Sequence, residues 1–525
     1  MKMENQQKEA RHRNKFVIGA WRFISRYGIF IFAIGVVLLN GSLAFDNVVW
    51  GDEAFSGNII RGTDFHGIFQ RIYYWENHPP LYYYMLRIMA DLCGYHTYVY
   101  HFSALIPFAG GIVLAVTLIR KRIGTIPVAF FVLLGGLSAT CVEYNLEIRM
   151  YALCFFMVLC CVYFSYAIFV NNASDPKDEK KRYWVGIILC GVAAAYTHYY
   201  GLVISGILLF ATSLFYYLKN KGKTWKPGVF SILAYLILYA PWIGVMIRQM
   251  SYVQNSWWMT EPEAFREVIR FAFGGQTMSK ILFPVTIGLS ILVLLLETGV
   301  VRIQWHSPRE YLISFHSPKC NIAQYDADLC MFLVCWLTVI LVMGFSYGIC
   351  YVYKPILAAR YMYPLIPILF VIFMLCVKKM LGWNWGNTEK EIVNLRQILV
   401  GILFAVLLVI GLFDFKQYRS VVKTQEFQTQ RILTMIGEPS SETVFTANGV
   451  KHLSWTVLQY YYPESEVFAV SPSELTDDNQ EIWAFMGYEL GADEIAQMEE
   501  RGYSVEESPD MWMGKYGCNL YHFRK

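Results

Sequence analysis

The chain of 525 residues is 56% hydrophobic and 16% charged, with a mean hydropathy of +0.37. This apolar composition excludes an ordinary soluble globule and predicts a polytopic membrane protein whose surrounding partner is the lipid bilayer. The net charge of +4 is small and no basic run is dense, so we expect no nucleic-acid partner.

Apolar runs of roughly the 20 residues that a helix needs to cross a bilayer recur along the chain. Eleven such runs fall near 27–45, 101–119, 127–143, 151–170, 184–200, 201–218, 228–247, 281–299, 329–350, 362–382 and 398–415. A basic region between Arg11 and Arg26 precedes the first run. Because no small-residue cleavage site follows, we expect a retained anchor and not a signal peptide.

The connections between these runs are alternately rich and poor in Lys and Arg. Cationic connections stay in the cytoplasm, so the N-terminus is expected inside and the poorer connections outside. The outer connections are 46–100, 143–150, 196–200, 248–280 and 351–361. Segment 79–94 in the first of them carries Arg87 and Asp91 and is too short for a lipid-facing span, so we expect a helix packed at the outer face.

The first outer connection, 46–100, is rich in Phe, Ile, Tyr and Trp. Its stretches 54–61 and 63–75 have the pattern of short amphipathic helices that lie in the plane of the membrane interface. An aromatic belt at the bilayer surface explains the same Tyr and Trp content without a substrate. The aromatic residues alone therefore do not decide between a site and an anchor.

The character of the sequence changes after the last apolar run. Short strand patterns at 443–446, 466–470, 481–486 and 519–523 alternate with helical patterns at 450–462 and 492–502. This alternation predicts a small α/β domain over 416–525, placed outside by the odd number of spans. Of the twelve cysteines, only Cys518 lies in this C-terminal domain, and the sequence has no CxxC or zinc-binding spacing. We therefore expect the cysteines to be core residues and not disulfides or metal ligands.

Polar and ionisable residues gather in four of the outer connections. They are Asp52, Glu53, Glu76, Asn77 and His78 in the first, Glu147 and Arg149 in the second, His198 in the third, and Lys354, Arg360 and Tyr361 in the last. Each has an ordinary explanation by itself, such as a solvated loop, a helix cap or a snorkelling cation. Because ionisable groups near membrane depth are costly, four connections that present them together favour a functional site.

These side chains suit transfer to a hydroxyl from a donor with an anionic leaving group. A carboxylate such as Asp52 can take the proton of the attacking hydroxyl. Arg149, Arg360 or Lys354 can neutralise a phosphate, and the imidazoles of His78 and His198 can hydrogen-bond it.

Imidazole and carboxylate side chains on one face also suggest a divalent metal as a cofactor. Asp52, His78, Glu147 and His198 are its candidate ligands, although no His-x-x-x-His or similar spacing supports a metal site.

Five short motifs follow one another between residues 25 and 370. They are Asp52-Glu53, His78-Pro79-Pro80-Leu81-Tyr82-Tyr83, Glu147-Ile148-Arg149-Met150-Tyr151, Thr197-His198-Tyr199, and Arg360-Tyr361 ahead of Pro364 and Pro367. Their order and spacing resemble the bacterial glycosyltransferases of the GT-C superfamily, in particular those related to protein O-mannosyltransferases and lipid A aminoarabinose transferases.

The resemblance implies a role for each matching residue. Asp52 takes the place of the family's acid that acts as base or orients the acceptor. Glu53 corresponds to the second acid of the mannosyltransferase pair, and Glu147 corresponds to an acid on the other side of the cavity. Arg149 and Arg360 become the expected phosphate partners. His78 falls where aminoarabinose transferases place a Lys near the lipid phosphate. His198 and Tyr361 belong to the matching motifs, Lys354 is included for its charge, and these three complete the expected donor-binding set.

We therefore expect a mainly α, polytopic GT-C fold with about eleven transmembrane helices in 1–415, and a small extracytoplasmic α/β domain in 416–525. The implied enzyme is a hexosyl or pentosyl transferase of the cell membrane, with inversion favoured. It moves a sugar from a polyprenyl-phosphate donor to a hydroxyl of an extracytoplasmic glycan, lipid or protein. Two alternatives are a transporter or flippase of lipid-linked sugars without chemistry, and an inactive relative that senses through its C-terminal domain.

Overall fold

The computed structural model describes residues 26–170, 177–256, 259–307, 310–318, 321–382, 389–450, 452–476 and 479–525. The basic region that the sequence places before the first span lies almost entirely outside these residues. Helices form most of the described chain, and a five-stranded sheet lies near its C-terminal end.

The helices are numbered here in chain order. They are α1 Arg26–Leu43, α2 Gly51–Ile60, α3 Phe65–Trp75, α4 Leu81–Cys93, α5 Thr97–Leu114, α6 Arg120–Ile123, α7 Thr125–Leu137, α8 Ala139–Tyr144, α9 Tyr151–Val170, α10 Lys177–Ala195, α11 Tyr199–Lys219, α12 Lys226–Tyr239, α13 Ile243–Ser256, α14 Phe265–Ala272, α15 Ser279–Glu297, α16 Ala327–Val352, α17 Ile366–Gly382, α18 Glu389–Ile436, α19 Leu458–Tyr461 and α20 Ala492–Glu500. The strands are β1 Val301–Ser307, β2 Glu310–Phe315, β3 Thr443–Asn448, β4 Val467–Phe468, β5 Glu481–Met486, β6 Ser504–Met513 and β7 Tyr516–Arg524.

Nine helical segments in the described part of the chain are long and apolar enough to cross a membrane. They are Arg26–Leu43, Thr97–Ile123, Tyr151–Val170, Tyr199–Lys219, Lys226–Asn255, Ser279–Glu297, Ala327–Val352, Ala359–Gly382 and Leu395–Ile436. The other two of the eleven predicted spans correspond to α7, which has only 13 residues, and to α10, whose first turn is charged. The segment Thr97–Ile123 stays continuous because a π turn at Ala115–Ile119 joins α5 to α6.

The connections segregate to the two ends of the helix bundle as their Lys and Arg content predicts. At the basic end, Lys378 Nζ donates to Arg122 O at 2.9 Å, and Lys379 Nζ lies 3.1 Å from a Glu297 oxygen. At the opposite end, Leu81 N donates to Tyr196 O at 3.0 Å, and Glu263 N donates to Leu357 O at 2.9 Å. The predicted outer connections are therefore neighbours in space.

Three helices, α2, α3 and α4, form the first of these connections. Asp64 caps α3 by accepting from Gly67 N, and α3 leaves Tyr74 and Trp75 exposed, as expected for an interfacial helix. By contrast, most of α2 is buried, although its sequence has the composition of an interfacial helix. The 13-residue α4 matches the predicted short helix at the outer face, and its Arg87 binds Asp91 at 2.8 Å.

The C-terminal sheet has the strand order β4-β3-β5-β7-β6. Strands β3, β4 and β5 are parallel, whereas β7 runs antiparallel to both β5 and β6. All four predicted strands are present, and β6 is an additional strand that the sequence analysis did not predict. Helix α18 of 48 residues leads into this sheet and passes without a break through position 416.

A second sheet, the antiparallel hairpin of β1 and β2, occupies the basic connection between α15 and α16. Val301 pairs with Phe315 at its base. The sequence predicts only a cytoplasmic connection here, so the hairpin is an element that the sequence pattern does not indicate. The cysteines that the structure describes are all free thiols, and most are buried, which agrees with their prediction as core residues.

Candidate functional site

A cavity of about 860 Å³ opens where the predicted outer connections meet. One part of its wall is polar and is built from α2, the connection between α3 and α4, and the start of α11. The other part is apolar and lies between α13 and α16, with Met246, Met250, Val253, Phe345 and Ile349 in its lining. The cavity therefore offers a charged pocket beside a groove suited to hydrocarbon.

Asp52 lies in the first turn of α2 and projects into the polar part of this cavity. Its carboxylate is partly exposed, and Oδ2 lies 3.7 Å from Nη2 of Arg360. The guanidinium of Arg360 also sits over the ring of Trp50, with Cζ 5.5 Å from the ring centroid. The start of a helix carries a partial positive charge, which attracts the carboxylate of Asp52.

Glu53, the neighbour of Asp52, points away from the cavity and is fully buried. Its carboxylate accepts hydrogen bonds from Ile148 N at 2.9 Å and from Trp50 N at 3.1 Å. Lys515 supplies the opposing charge, with Nζ 3.0 Å from Oε2. Burial alone would lower the pKa of Lys515, but the negative charge of Glu53 raises it, so Lys515 keeps its proton.

Glu147 is also buried beneath the cavity floor and does not line the cavity. Trp50 Nε1 donates to its Oε1 at 3.2 Å, while Oε2 has no hydrogen-bond partner. Burial and then the charges of Glu53 and Glu143 raise the pKa of Glu147 to about 8. At neutral pH this carboxyl is therefore largely protonated.

Glu147 should make the stability of the fold fall as pH rises. The folded state keeps a proton that the unfolded state releases near pH 4.5, so stability declines between about pH 4.5 and 8 and then levels off. In Glu147→Gln this decline should shrink, which should raise the apparent Tm at pH 9 by a few degrees relative to the unsubstituted protein. Thermal unfolding in detergent between pH 5 and 9 measures this. Parallel curves for both proteins would show that Glu147 is ionised throughout.

Glu76, His78 and Arg149 form a connected polar group at the bottom of the cavity. His78 Nδ1 lies 2.5 Å from Glu76 Oε1, and Tyr83 Oη donates to Glu76 Oε2 at 2.7 Å. Arg149 Nη1 lies 3.5 Å from the same Oε2 and donates to Ser56 Oγ and Tyr83 Oη at 3.1 Å. Burial alone would raise the pKa of Glu76, but Arg149 and His78 hold it well below its usual range.

The ring of His78 is therefore oriented by an ionised carboxylate. Burial lowers its pKa despite the charge of Glu76, so the ring is neutral with its proton on Nδ1, toward Glu76. Nε2 is then a lone-pair acceptor, and it becomes a donor only when the ring gains a second proton.

His198 precedes α11 and faces the same space, with its ring centroid 5.1 Å from that of His78 and 5.5 Å from that of Tyr361. Its Nδ1 accepts from Tyr200 N at 2.9 Å and so caps the helix. The ring proton must then sit on Nε2, which is buried and has no hydrogen-bond partner. An unpaired donor in a cavity wall is suited to an oxygen ligand.

The predicted site residues divide into three groups in the structure. Asp52, His78, Arg149, His198, Arg360 and Tyr361 all line the cavity. Glu53 and Glu147 lie behind its wall, as described above. Lys354 is outside the lining, because its Nζ is bound to the carbonyl of Gln254.

The proposed metal ligands are not assembled as a metal site. Within the described ranges, no group of three or more His, Cys, Asp and Glu side chains is arranged to share an ion. The candidate ligands Asp52, His78, Glu147 and His198 are instead engaged with Arg360, Glu76, Trp50 and Tyr200 respectively.

Some residues around the site are not indicated by the sequence. Glu76 is one of the polar residues of the first connection, but no pattern predicts that it orients His78. Its place two residues before His78, ahead of a Pro-Pro pair, was the available signal. Lys515, His452 and Thr456 belong to the C-terminal domain, and nothing in the sequence connects them to positions near Asp52.

The fold is similar to that of ArnT from Cupriavidus metallidurans. Its crystal structure bound to undecaprenyl phosphate matches with a TM-score of 0.59 and 11% identity over 94% of this chain and 98% of that chain. The apo crystal structure gives the same TM-score and identity over 95% and 98%. The Archaeoglobus fulgidus oligosaccharyltransferase in complex with zinc and sulfate matches at a TM-score of 0.44 and 10% identity, over 86% of this chain and 68% of that chain.

No family model matches the sequence, and neither does any curated protein. The likeness to ArnT therefore establishes the fold. The chain is a multi-pass membrane protein with a GT-C fold, which confirms the fold class expected from the sequence.

Proposed function

We propose that this protein is a membrane glycosyltransferase that moves a sugar from a polyprenyl-phosphate donor to a hydroxyl group of an extracytoplasmic acceptor. The observation that carries the proposal is the cavity, in which Asp52, Arg149 and Arg360 adjoin an apolar groove. A phosphate with a long hydrocarbon tail matches both parts of this cavity, because its head is anionic and its tail is apolar. The undecaprenyl phosphate in the ArnT crystal structure is a ligand of the same chemical class.

In this mechanism the donor lies with its hydrocarbon along α13 and α16 and its phosphate among the cations. Arg149 is held by Glu76, Tyr83 and Ser56, so its guanidinium is already oriented when the lipid arrives. Arg360, 3.7 Å from the carboxylate of Asp52, adds a second cation. Such preorganised charges stabilise the developing negative charge of the leaving phosphate without further rearrangement.

Asp52 takes the proton of the acceptor hydroxyl as its oxygen attacks the anomeric carbon. The bond from that carbon to the phosphate oxygen breaks, and the polyprenyl phosphate leaves as an anion. Because the leaving group needs no proton, one base and a set of cations are sufficient. Attack from the side opposite the phosphate inverts the anomeric configuration.

The remaining predicted residues take supporting places in the proposal. His198 Nε2 donates to a phosphate oxygen, and Tyr361 packs against its ring. His78 donates from Nε2 once the anionic phosphate favours the protonated ring. Glu53 and Glu147 act from behind the wall by holding the segment that carries Asp52.

We place the cavity and the C-terminal α/β domain on the extracytoplasmic side, with the N-terminus in the cytoplasm. The support is the segregation of cationic connections to the other end of the bundle. Residues 1–415 then contain the catalytic module and residues 416–525 the outer domain, with the sugar a hexose or pentose.

The test is transfer by the purified protein in proteoliposomes that contain radiolabelled polyprenyl-phosphate hexoses and pentoses and membrane acceptors. Label that moves from the lipid to a glycan, lipid or protein supports the proposal. Label that crosses the bilayer while still attached to the lipid would instead identify a flippase. Binding of the lipid with neither outcome would point to an inactive sensor.

Substitution of His198 separates donor binding from folding. In His198→Asn, the shorter amide still accepts from Tyr200 N as a helix cap, but the Nε2 donor is lost. We expect the KM for the lipid donor to rise about tenfold, the size of one hydrogen bond to a charged group, with a nearly unchanged Tm. Transfer kinetics and thermal unfolding measure the two effects. An unchanged KM would remove His198 from the phosphate site.

A further inference from the structure

The turn between β6 and β7 reaches across to the segment that carries Asp52. Its Gly514 has a φ of +60°, and a Cβ there would lie 2.3 Å from Val49 O, so only glycine permits this approach. The next residue, Lys515, donates its backbone N–H to the same carbonyl at 3.3 Å. The turn is thus in backbone contact with the start of the first outer connection.

Two side chains of the turn then fix the first turn of α2. Tyr516 Oη accepts from Gly51 N at 2.9 Å, which satisfies a backbone donor that the start of a helix leaves unpaired. Lys515 Nζ binds the carboxylate of Glu53 at 3.0 Å. Asp52 lies between these two attachment points, and its side chain is the one directed into the cavity.

The charge of Lys515 is needed at this place. Glu53 is fully buried, and Lys515 Nζ is the cation that pairs with its carboxylate. A buried carboxylate that loses its cation is strongly destabilising, because the charge is left without compensation. Without Lys515, the buried carboxylate of Glu53 would lack its cation, so the first turn of α2 would move toward solvent and Asp52 would move with it.

The turn is itself held by the long helix α18. Gly514 N donates to Thr429 Oγ1 at 3.0 Å, and Thr429 Oγ1 donates to Trp512 O at 3.2 Å. Both sides of the turn are therefore attached, one to α18 and the other to the start of α2. A contact with this many fixed points transmits position accurately.

We propose that the β6–β7 turn is a positioning element of the active site, in which Lys515 and Tyr516 set the orientation of Asp52 through Glu53 and Gly51. The turn is thereby needed for the chemical step and not for binding the lipid donor. This inference rests on the proposed function, in which Asp52 takes the proton of the acceptor.

Lys515→Met tests the charge, since methionine has similar length and no charge. We expect kcat to fall about 30-fold, as for a misplaced reacting group, and KM for the polyprenyl-phosphate donor to change less than threefold. The double variant Glu53→Gln, Lys515→Met removes both charges. Its kcat should be about tenfold higher than that of Lys515→Met alone, because the two residues are coupled. Lys515→Arg should retain most of the activity.

Tyr516→Phe tests the second attachment with a smaller change. Loss of one hydrogen bond should lower kcat about fivefold at constant donor KM. Lys423→Met is the matched control, because Lys423 is exposed and lies 3.9 Å from Asp46, away from the cavity lining. It should leave kcat unchanged.

Amide hydrogen exchange gives a readout that does not depend on glycosyl transfer. Lys515→Met and Tyr516→Phe should both speed exchange in 46–60 and leave α11 unchanged. Unaltered kcat and exchange in both variants, or a donor KM that rises while kcat is constant, would overturn the positioning role. If the unsubstituted protein binds polyprenyl phosphate but transfers no sugar, the proposed function fails, while the exchange result still decides whether the turn positions α2.

Discussion

Asp52→Asn should abolish nearly all glycosyl transfer while leaving donor binding intact. Asparagine has the shape of aspartate but cannot take the proton of the acceptor, and general-base catalysis contributes about 10²- to 10⁴-fold. We expect kcat to fall about 10³-fold. The donor KM should stay constant or decrease, because the carboxylate of Asp52, 3.7 Å from Arg360, no longer competes with the phosphate for its charge. Initial rates with radiolabelled donor, normalised to inserted protein, measure both constants.

A matched control for this variant is Asp46→Asn. Asp46 belongs to the same connection but pairs with Lys423 and does not line the cavity. Its substitution should change kcat less than twofold, in keeping with the small value of an exposed ion pair. Near-normal turnover by Asp52→Asn would refute the assignment of Asp52 as the base. His78, whose neutral ring carries a lone pair on Nε2, would then be the next residue to test.

Arg360→Ala should act mainly on the donor. Its guanidinium lies 3.7 Å from the carboxylate of Asp52. A charged hydrogen bond of about 1.5–3 kcal/mol corresponds to about a 10- to 150-fold change in affinity. We expect the donor KM to rise about 50-fold. The donor KM of Arg360→Lys should lie between those of the unsubstituted protein and Arg360→Ala, because lysine keeps the charge but cannot bind two phosphate oxygens at once. Equilibrium binding of polyprenyl phosphate gives the affinity without turnover.

Lys354→Ala provides the comparison for Arg360→Ala. The sequence places both cations in the connection 351–361, but only Arg360 lines the cavity. We expect a much smaller effect on lipid affinity from Lys354, whose Nζ is bound to the carbonyl of Gln254. Equal losses in both variants would mean that the phosphate binds nearer to α16 than proposed.

The sequence was informative wherever contact with the bilayer constrains the type of each residue by itself. The apolar runs predicted most of the helices, and the polar residues that interrupt the outer connections predicted Asp52, His78, Arg149, His198 and Arg360 as cavity residues. These side chains are costly near lipid, so their presence is visible without a structure. The partners of these side chains can be predicted only where they are close in sequence, as Glu76 is to His78.

Other features depend on direction and on long-range contacts. Adjacent residues on a helix point about 100° apart, so either acid of the Asp52-Glu53 pair could face the cavity. The buried face of α2 decides this, and that face is set by packing against the C-terminal domain. Lys515 lies more than 400 positions from Glu53, and no pattern within either segment indicates their contact. Strand β6 was missed because its residues alternate poorly between buried and exposed positions.

The length of α18 has a consequence for how this protein can vary. The helix has 48 residues, or about 72 Å at 1.5 Å per residue, so it serves as a rod from the membrane to the sheet. One inserted residue between its membrane segment and Thr429 would rotate everything beyond by about 100° and carry Gly514 out of reach of Val49. An insertion of seven residues would nearly restore the angle but lengthen the rod by about 10 Å. The spacing along this helix is therefore under the same geometric constraint as the active-site residues themselves.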